Sequence, residues 1–352
     1  GYAPRLLDEL LAGGDVMWVG AGPLGRDDGK VVLLLRDRAE LLLAALRTGG
    51  EAPVGQEHDR LRGVLRSRGA CFFRELSGTS DAQSLDALWD LVWAGEVTND
   101  SFAAVRALSA KKRSAGRTNR PRPGSLTVLG PPRAQGRWSL VDRPAWEGTG
   151  ENGSATASFT TEAAAMLAGV LLDRHGVLTR EAVRGEGVPG GFAGIYPVLR
   201  TMEEAGRIRR GYFVTGLGGA QFALPGAVDR LRSFREGSPD GPVTLLLAAT
   251  DPANVYGQAL PWPAKGPQRV AGAYVVLVDG AASLYVERGA KGIVALRPYD
   301  GSWEEQAVAV LARLVEDGRF SRLSLARFDA ELDPLLRANR FVPTPKGLVR
   351  YA

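Results

Sequence analysis

The chain has 352 residues, of which 45% are hydrophobic and 24% charged, so it can bury a core but exceeds the usual size of one domain. One cysteine, Cys71, excludes an intrachain disulfide and a thiolate zinc site, and two histidines leave little for any other metal site. No apolar run approaches the roughly 18 residues of a membrane span, and the first residues lack a signal-peptide pattern. These features predict a cytoplasmic protein of two or three modules, without a metal and without a membrane partner.

Positive charge is concentrated between Ser101 and Val141. The net charge is 44 minus 39, or +5, yet this segment holds nine Lys or Arg residues and no Asp or Glu, so the remainder is near −4. Its centre, Lys111 to Gly124, has no apolar periodicity and several helix breakers, which predicts a mobile loop. Either a solvated linker or a basic loop that binds a polyanion fits this composition. The candidate nucleic-acid contacts in this basic loop are Lys111, Lys112, Arg113, Arg117, Arg120 and Arg122.

An internal repeat recurs along the chain. Three segments align without gaps over one hydrophobic frame: Leu7 to Val16, Leu88 to Val97, and Leu199 to Ile208. In each, apolar residues spaced i, i+3 indicate a helix face, and an apolar residue then begins a strand. Between helix and strand we expect C-cap glycines, which are Gly14, Gly95 and Gly206.

The residues around these frames predict winged-helix modules. Leu65 to Glu75 and Leu172 to Glu181, which precede two of the frames, both read as helix, glycine and second helix. Arg209 to Leu224, after the third frame, reads as strand, turn and strand, with the turn at Gly216 to Gly219. Three helices, a strand, a wing and a strand make a winged helix, whose third helix commonly lies in the DNA major groove. The basic loop occupies the wing position of the second module.

The first module contains only a third helix, from Pro4 to Leu11. Strands at Met17 to Val19 and Val31 to Leu35 follow, with a predicted wing at Gly25 to Lys30. Because its first two helices are missing, we expect the chain to begin inside a domain, as a fragment of a longer polypeptide.

The region after the repeats changes character. Glu147 to Ser158, before the third module, is polar and glycine-rich, which predicts a linker. Short β runs after Pro242 predict a small β-barrel, and they are Val243 to Ala248, Arg269 to Val278, Ala282 to Glu287 and Gly292 to Leu296. Further elements are a helix at Glu304 to Val315, a strand at Ser321 to Leu325 and a helix at Asp333 to Asn339.

The predicted fold class is α+β, with tandem winged-helix modules followed by a small β-barrel and a C-terminal α/β segment. We expect the end of a winged helix at 1–48, a winged helix with a long basic wing at 59–145, a linker at 146–159, a winged helix at 160–235, the β-barrel at 240–303 and the α/β segment at 304–352.

Two glycine motifs do not indicate nucleotide sites. Gly185, Gly187 and Gly190 spell G-x-G-x-x-G, but no strand precedes them and Pro189 interrupts the motif. We expect them to form the turn before the third helix of the last module. Gly25 to Lys30 is one residue short of a P-loop, so nucleotide hydrolysis is not predicted from this chain.

A basic cluster with an aromatic neighbour lies where the third module's helix passes into its wing strand. It comprises Arg207, Arg209, Arg210 and Tyr212. Such a cluster is typical either of phosphate contact or of a solvated edge. These four residues are the second set of candidate nucleic-acid contacts.

Other residues have both a structural and a functional interpretation. Trp89 and Trp93, at helical i, i+4 spacing, are predicted to be core residues rather than base-stacking platforms. Asp251 follows a buried strand and opens a turn that contains Asn254. An Asp before proline commonly forms a turn, while the functional interpretation makes its carboxylate face a cleft.

Four stretches carry a family resemblance: Leu6 to Gly22, Gly187 to Arg232, Asp251 to Pro263, and Thr344 to Leu348. They resemble the C-terminal part of the bacterial large helicase-related proteins, the Lhr family. The resemblance implies an ATP-dependent DNA helicase of superfamily 2 whose motor, with its ATP and Mg, lies outside this chain; no cofactor is expected here. It also implies winged helices and a β-barrel similar to AlkZ-type DNA glycosylases, and some Lhr proteins are reported to remove uracil from DNA.

The resemblance leaves several functions open. The first is a DNA-binding and assembly region of a repair helicase, with single-stranded or tailed duplex DNA and the helicase core as partners, a homo-oligomer as a further expectation, and a location at the nucleoid. The alternative is a base-excising DNA glycosylase, and a third is a transcriptional regulator. A glycosylase needs a group that positions water or stabilises the sugar cation. AlkZ-type enzymes use a Gln-x-Gln motif, of which only Gln221 has a counterpart here, so the candidate catalytic residues are Asp251, Asn254 and Gln221.

Overall fold

The computed structural model describes residues 3–25, 28–46, 52–78, 80–109, 131–142, 160–234, 241–318 and 320–352. The chain divides into two units, one comprising Gly1–Val170 and Val188–Val198, the other Leu171–Gly187 and Leu199–Ala352. The predicted basic loop, with its six candidate contacts, and the predicted linker lie outside the described residues.

The first module begins with a helix and a long hairpin. Its elements are α1 (Pro4–Gly13), β1 (Val16–Gly25), β2 (Asp28–Leu35) and α2 (Arg36–Ala45). β1 and β2 pair antiparallel from Val16 with Leu35 to Gly25 with Asp28, and the register shifts on either side of Pro23. The prediction of a wing loop at Gly25 to Lys30 is therefore wrong for most of that segment, because the two register shifts accommodate the proline without ending the ladder.

The second module has the winged-helix order of elements that the sequence predicts. They are α3 (Gln56–Arg68), β3 (Cys71–Phe72), α4 (Phe73–Leu76), α5 (Asp81–Trp93), β4 (Val97–Asn99), α6 (Ala103–Ser109) and β5 (Arg137–Leu140). The strands form an antiparallel sheet in the order β3-β5-β4. Trp89 and Trp93 are each 7% exposed and belong to the core around Trp138, so their predicted core position is confirmed.

The third module repeats the same order. Its elements are α7 (Thr161–His175), β6 (Val177–Leu178), α8 (Arg180–Gly185), α9 (Gly191–Glu204), β7 (Arg209–Gly211), β8 (Gln221–Ala223) and α10 (Pro225–Ser233). The sheet order β6-β8-β7 matches that of the second module. Gly187 and Gly190 have φ values of 68° and 70° between α8 and α9, a conformation that favours glycine. The G-x-G-x-x-G motif thus forms the predicted turn before the third helix.

The three aligned frames end their helices in the same way. Gly14, Gly95 and Gly206 have φ values of 82°, 73° and 71°, which confirms the predicted C-cap glycines. The residue after each glycine donates its backbone N–H to a carbonyl five residues earlier, at 3.1, 2.9 and 2.9 Å, and the acceptors are Leu10, Leu91 and Met202. This bond defines a Schellman motif, which turns each chain from helix into strand at one position of the frame.

The C-terminal part contains two antiparallel sheets and two helices. Their bounds are β9 (Thr244–Ala248), β10 (Tyr274–Val278), β11 (Ala281–Val286), β12 (Ile293–Ala295), α11 (Glu304–Glu316), β13 (Arg322–Leu325), α12 (Asp333–Ala338), β14 (Val342–Thr344) and β15 (Gly347–Tyr351). The sheet orders are β12-β11-β10-β9 and β13-β15-β14. The predicted strands and helices of this region are present, while closure into a barrel stays a prediction.

The four-stranded sheet is buried on both faces. Val276 and Val278 of β10 pack into one core with Leu311 of α11, and this core also contains residues of the second sheet. Val275 and Leu277, which point to the opposite face, pack into a separate core with the segment between β9 and β10. Burial on both faces explains the unbroken apolar run of β10, since alternation is lost when neither face meets water.

Candidate nucleic-acid interface

The predicted basic cluster forms an exposed edge on the third module. After Gly206, Ile208 is 2% exposed, while Arg207, Arg209 and Arg210 are exposed on either side of it. Tyr212, at the start of the wing, is 92% exposed. We call Arg207, Arg209, Arg210 and Tyr212 the strand–wing edge.

The arginines of the strand–wing edge differ in their partners. Arg210 Nε lies 3.3 Å from Glu203 Oε1, so its charge is partly balanced. Arg207 and Arg209 form no salt bridge within the part of the chain that the structure describes. A guanidinium group without a carboxylate partner keeps its donors available for an anion. The sequence prediction therefore brings these side chains to one exposed edge.

Gln221 organises the wing from inside. Its side chain is fully buried, and Oε1 accepts the backbone N–H groups of Phe213 and Val214, both at 2.8 Å. Nε2 donates to the carbonyls of Val214 at 3.0 Å and Leu217 at 3.1 Å. Both donors and both acceptor positions of the amide are thus used within the wing. This arrangement gives Gln221 a structural role, and its catalytic role stays a prediction.

Helix α5, the third helix of the second module, is covered. A Cβ on Gly20 of β1 would lie 1.9 Å from the carbonyl oxygen of Val92, and one on Gly29 of β2 would lie 2.4 Å from the Trp93 ring. The hairpin therefore lies directly on α5. The residues of α5 that remain exposed include three acids and no base: Asp81, Ala82, Gln83, Asp86 and Asp90. An acidic, covered helix is unsuited to the DNA major groove, unlike the third helix of a typical winged helix.

Asp251 and Asn254 lie in the turn after β9. Asn254 is fully buried, and its Nδ2 donates to the Ala249 carbonyl at 2.9 Å while its Oδ1 accepts the Tyr256 N–H at 3.1 Å. Asp251 is partly exposed, and its Oδ1 accepts the Ala253 N–H at 2.9 Å, the bond of a turn-forming Asp. No described residue forms a hydrogen bond with Asp251 Oδ2. The turn thus brings the two candidates into one short segment, with one carboxylate oxygen unused.

Arg269 holds this turn together, and the sequence gives no signal for it. Its guanidinium donates to the carbonyl oxygens of Asn254 and, at 3.2 Å, of Asp251. Burial lowers the pKa of Arg269 from its ordinary value, and the negative charge of Asp251 opposes this shift. Backbone carbonyls are the partners, so no pairing of side chains in the sequence could predict the contact.

The aromatic side chains beside the turn pack on each other. Trp262 stacks on Tyr256 with ring centroids 6.1 Å apart, and meets Tyr285 edge-on at 5.6 Å. A Cβ on Gly257 would lie 2.4 Å from Trp262 Nε1, so the backbone closely approaches the indole. Trp262 therefore contributes to the core on this side of the sheet.

Metal and membrane sites were also considered for the described ranges. They contain no group of three or more His, Cys, Asp or Glu residues that could hold a metal ion. Cys71 is buried, and burial raises the pKa of its thiol. No helix among the described residues combines the length and the apolar character that a bilayer span requires.

Helices, strands and wings repeated in one order define a tandem winged-helix protein. Two family models agree with this class, since both describe a winged-helix domain of large helicase-related proteins, one over residues 157–243 and one over residues 1–36.

The curated relatives have the same family name. The chain is similar to "Lhr helicase/ probable uracil glycosylase" of Mycolicibacterium smegmatis, with 44% identity over 384 aligned positions, 99% of this chain and 24% of the relative. It is also similar to "Lhr helicase/uracil glycosylase" of Escherichia coli, with 35% identity over 391 positions, 99% of this chain and 24% of the relative. The chain belongs to the large helicase-related family and corresponds to its C-terminal winged-helix region, and it spans 24% of the length of these relatives.

Proposed function

We propose that this chain binds DNA as the C-terminal region of an Lhr-type DNA-repair helicase, and that the strand–wing edge contacts the phosphate backbone. The observation that carries this proposal is the pair Arg207 and Arg209, both exposed and without a salt bridge to a described residue. Tyr212, 92% exposed, adds a hydroxyl donor beside them. Charge-assisted hydrogen bonds to phosphate gain most where no carboxylate has to be displaced.

The contacts in this proposal are to the backbone and not to bases. Arg200, the arginine of helix α9, is paired by its Nε to Glu204 Oε1 at 2.8 Å, so its donors are engaged within the helix. Helix α5 is covered and acidic. Contacts to phosphate position a protein on DNA without reading its sequence. We therefore expect similar affinity for DNA of unrelated sequences.

The test is the salt dependence of binding to a fluorescein-labelled single-stranded oligonucleotide, measured by anisotropy. The variant Arg207→Gln with Arg209→Gln removes two positive charges from the strand–wing edge. Arg313→Gln with Arg322→Gln is the matched control, because it removes two exposed positive charges elsewhere.

The expected result is a weaker affinity on every sequence and a slope of log affinity against log salt that is flatter by about 1.4 to 1.8 for two lost phosphate contacts. The control pair should leave the slope unchanged. Equal slopes for the edge variant and the unmodified chain would exclude the edge from the interface.

Other parts of the proposal concern the whole polypeptide. In it, the helicase core of the same polypeptide binds ATP and Mg, and DNA with a single-stranded region is the shared substrate. The printed names of both relatives include helicase, which supports this assignment. DNA repair and a location at the nucleoid are proposed on the same basis, and a homo-oligomer stays a prediction.

A second candidate function is uracil excision. The relatives are named uracil glycosylase or probable uracil glycosylase, and Asp251 has one carboxylate oxygen without a hydrogen bond from a described residue. A carboxylate near an extruded base can position water or stabilise the sugar cation. Asp251 is our candidate for that group.

Alkali treatment after incubation with a uracil-containing oligonucleotide tests this candidate, since abasic sites are cleaved. We expect Asp251→Asn to abolish cleavage while DNA binding and the melting midpoint stay nearly unchanged, because the isostere keeps the turn's hydrogen bond. Asp300→Asn is the control, as Asp300 accepts the Ser302 N–H at 2.9 Å in a similar exposed turn. Full activity of Asp251→Asn would remove Asp251 from the mechanism.

A further inference from the structure

A groove of about 670 Å³ lies on the third module, away from the strand–wing edge. One wall is the C-terminal turn of α7, with Arg174 and His175, and the other is helix α10, with Arg230 and Leu231. Phe234, just after α10, closes one side. This volume falls within the range of sites for small molecules and single nucleotides.

An exposed aromatic ring is the main feature of this groove. Phe234 is 70% exposed and Leu231 is 46% exposed, although both are apolar. The Arg230 guanidinium carbon lies 5.9 Å from the Phe234 ring centroid. With this much of its surface exposed, the ring cannot be covered on both faces by the chain. It therefore offers an open π-face with a cation next to it.

The charges of the groove favour an anionic occupant. Its lining includes Arg174 and Arg230 but only one acid, Asp173. Glu186 is not part of the lining, and it holds the α7 wall by accepting from Arg174 at 2.5 Å and bonding His175 at 2.9 Å. The wall is thus fixed by a carboxylate outside the groove, while the groove itself presents two guanidinium groups.

We propose that this groove binds one unpaired nucleotide of single-stranded nucleic acid, with its base stacked on Phe234 and its phosphate held by Arg174 and Arg230. An aromatic ring next to cations is the combination by which proteins bind single strands without sequence preference, because every base has a π-face. This inference rests on the proposed DNA-binding function and adds a second contact point, one that takes a base instead of the backbone alone.

The experiment separates stacking from charge. Two fluorescein-labelled oligomers of equal length are compared by anisotropy, one of thymidines and one of abasic tetrahydrofuran residues, which has the same phosphates without bases. The variants are Phe234→Ala, which removes the ring, and Phe234→Trp, which keeps an aromatic ring. Phe72→Ala is the control, since Phe72 is 49% exposed on strand β3 of the second module.

The unmodified chain should prefer the thymidine oligomer. Phe234→Ala should weaken thymidine binding by at least about fivefold and leave abasic binding unchanged, because one stacked base is worth about five- to 160-fold in affinity. Phe234→Trp should keep the preference, and Phe72→Ala should not alter it.

Three results would overturn the inference. One is a Phe234→Ala variant with the thymidine preference of the unmodified chain, and another is an equal loss on both oligomers. The third is a change in molar mass by light scattering in place of a changed base preference, which would make the groove a contact between protein copies. An unmodified chain that binds neither oligomer would instead contradict the proposed DNA-binding function itself.

Discussion

Replacing Gln221 with methionine should release the wing of the third module. Methionine has nearly the same length and volume, but it supplies neither the two donors nor the strong acceptor of the amide. Four hydrogen bonds, to Phe213, Val214 and Leu217, are lost in a fully buried position. At about 0.5 to 1.5 kcal/mol each, the loss is roughly 2 to 6 kcal/mol, and about 2 to 4 kcal/mol remains if the opened backbone is hydrated.

Amide hydrogen exchange measures this change where it occurs. A chain of two units does not unfold in one transition, so a single melting midpoint would not isolate the wing. The amides of Phe213 and Val214 should exchange about 30- to 700-fold faster in Gln221→Met, the ratio that corresponds to about 2 to 4 kcal/mol of lost protection. Gln83→Met is the control, since Gln83 is exposed on α5. Unchanged exchange at both amides would refute the argument that Gln221 holds the wing.

Two further predictions concern stability. The hydrogen bond from Arg60 lowers the pKa of Glu57 from 4.5 to about 2, so its stabilising effect is present above pH 4.5 and lost as the pH falls towards 2. Glu57→Gln should therefore lower the free energy of unfolding at pH 7, with a difference that shrinks below pH 4.5; a difference independent of pH would contradict this. Gly185→Ala should destabilise by about 1 to 3 kcal/mol, although alanine favours helices, because its Cβ would lie 2.3 Å from Gln258 Cγ. Adding Gln258→Ala should restore most of that loss in a double-mutant cycle, and purely additive effects would show that the contact is not responsible.

The parts of the fold that the sequence predicts depend on local interactions. Gly14, Gly95 and Gly206 adopt the left-handed conformation of a C-cap within a single turn of chain, so their positions follow from neighbouring residues. The covering of helix α5 is different, because it depends on Gly20 and Gly29 approaching a helix far along the chain. No periodicity encodes such an approach. The same limit applies to the first hairpin, whose pairing continues where the sequence indicates a loop.

The candidate sites show the same division. The exposure of Arg207 and Arg209 follows from their position around the buried Ile208, which the alignment of the frames identifies. The role of Gln221 depends on backbone groups of the wing, whose conformation no residue pattern specifies. Phe234 was not predicted, because a single aromatic at a helix end has no sequence signature until the groove beside it is known.

Contact between the strand–wing edge and DNA is the central claim, and photo-crosslinking at Tyr212 tests it most directly. A benzophenone side chain in place of Tyr212, which is 92% exposed, reacts only with groups in immediate contact. The matched position is Tyr351, which is 59% exposed at the end of β15. We expect ultraviolet light to join labelled single-stranded DNA to the chain at position 212 and not at position 351. Equal labelling at both positions, or none at 212 while the chain still binds DNA, would contradict the account.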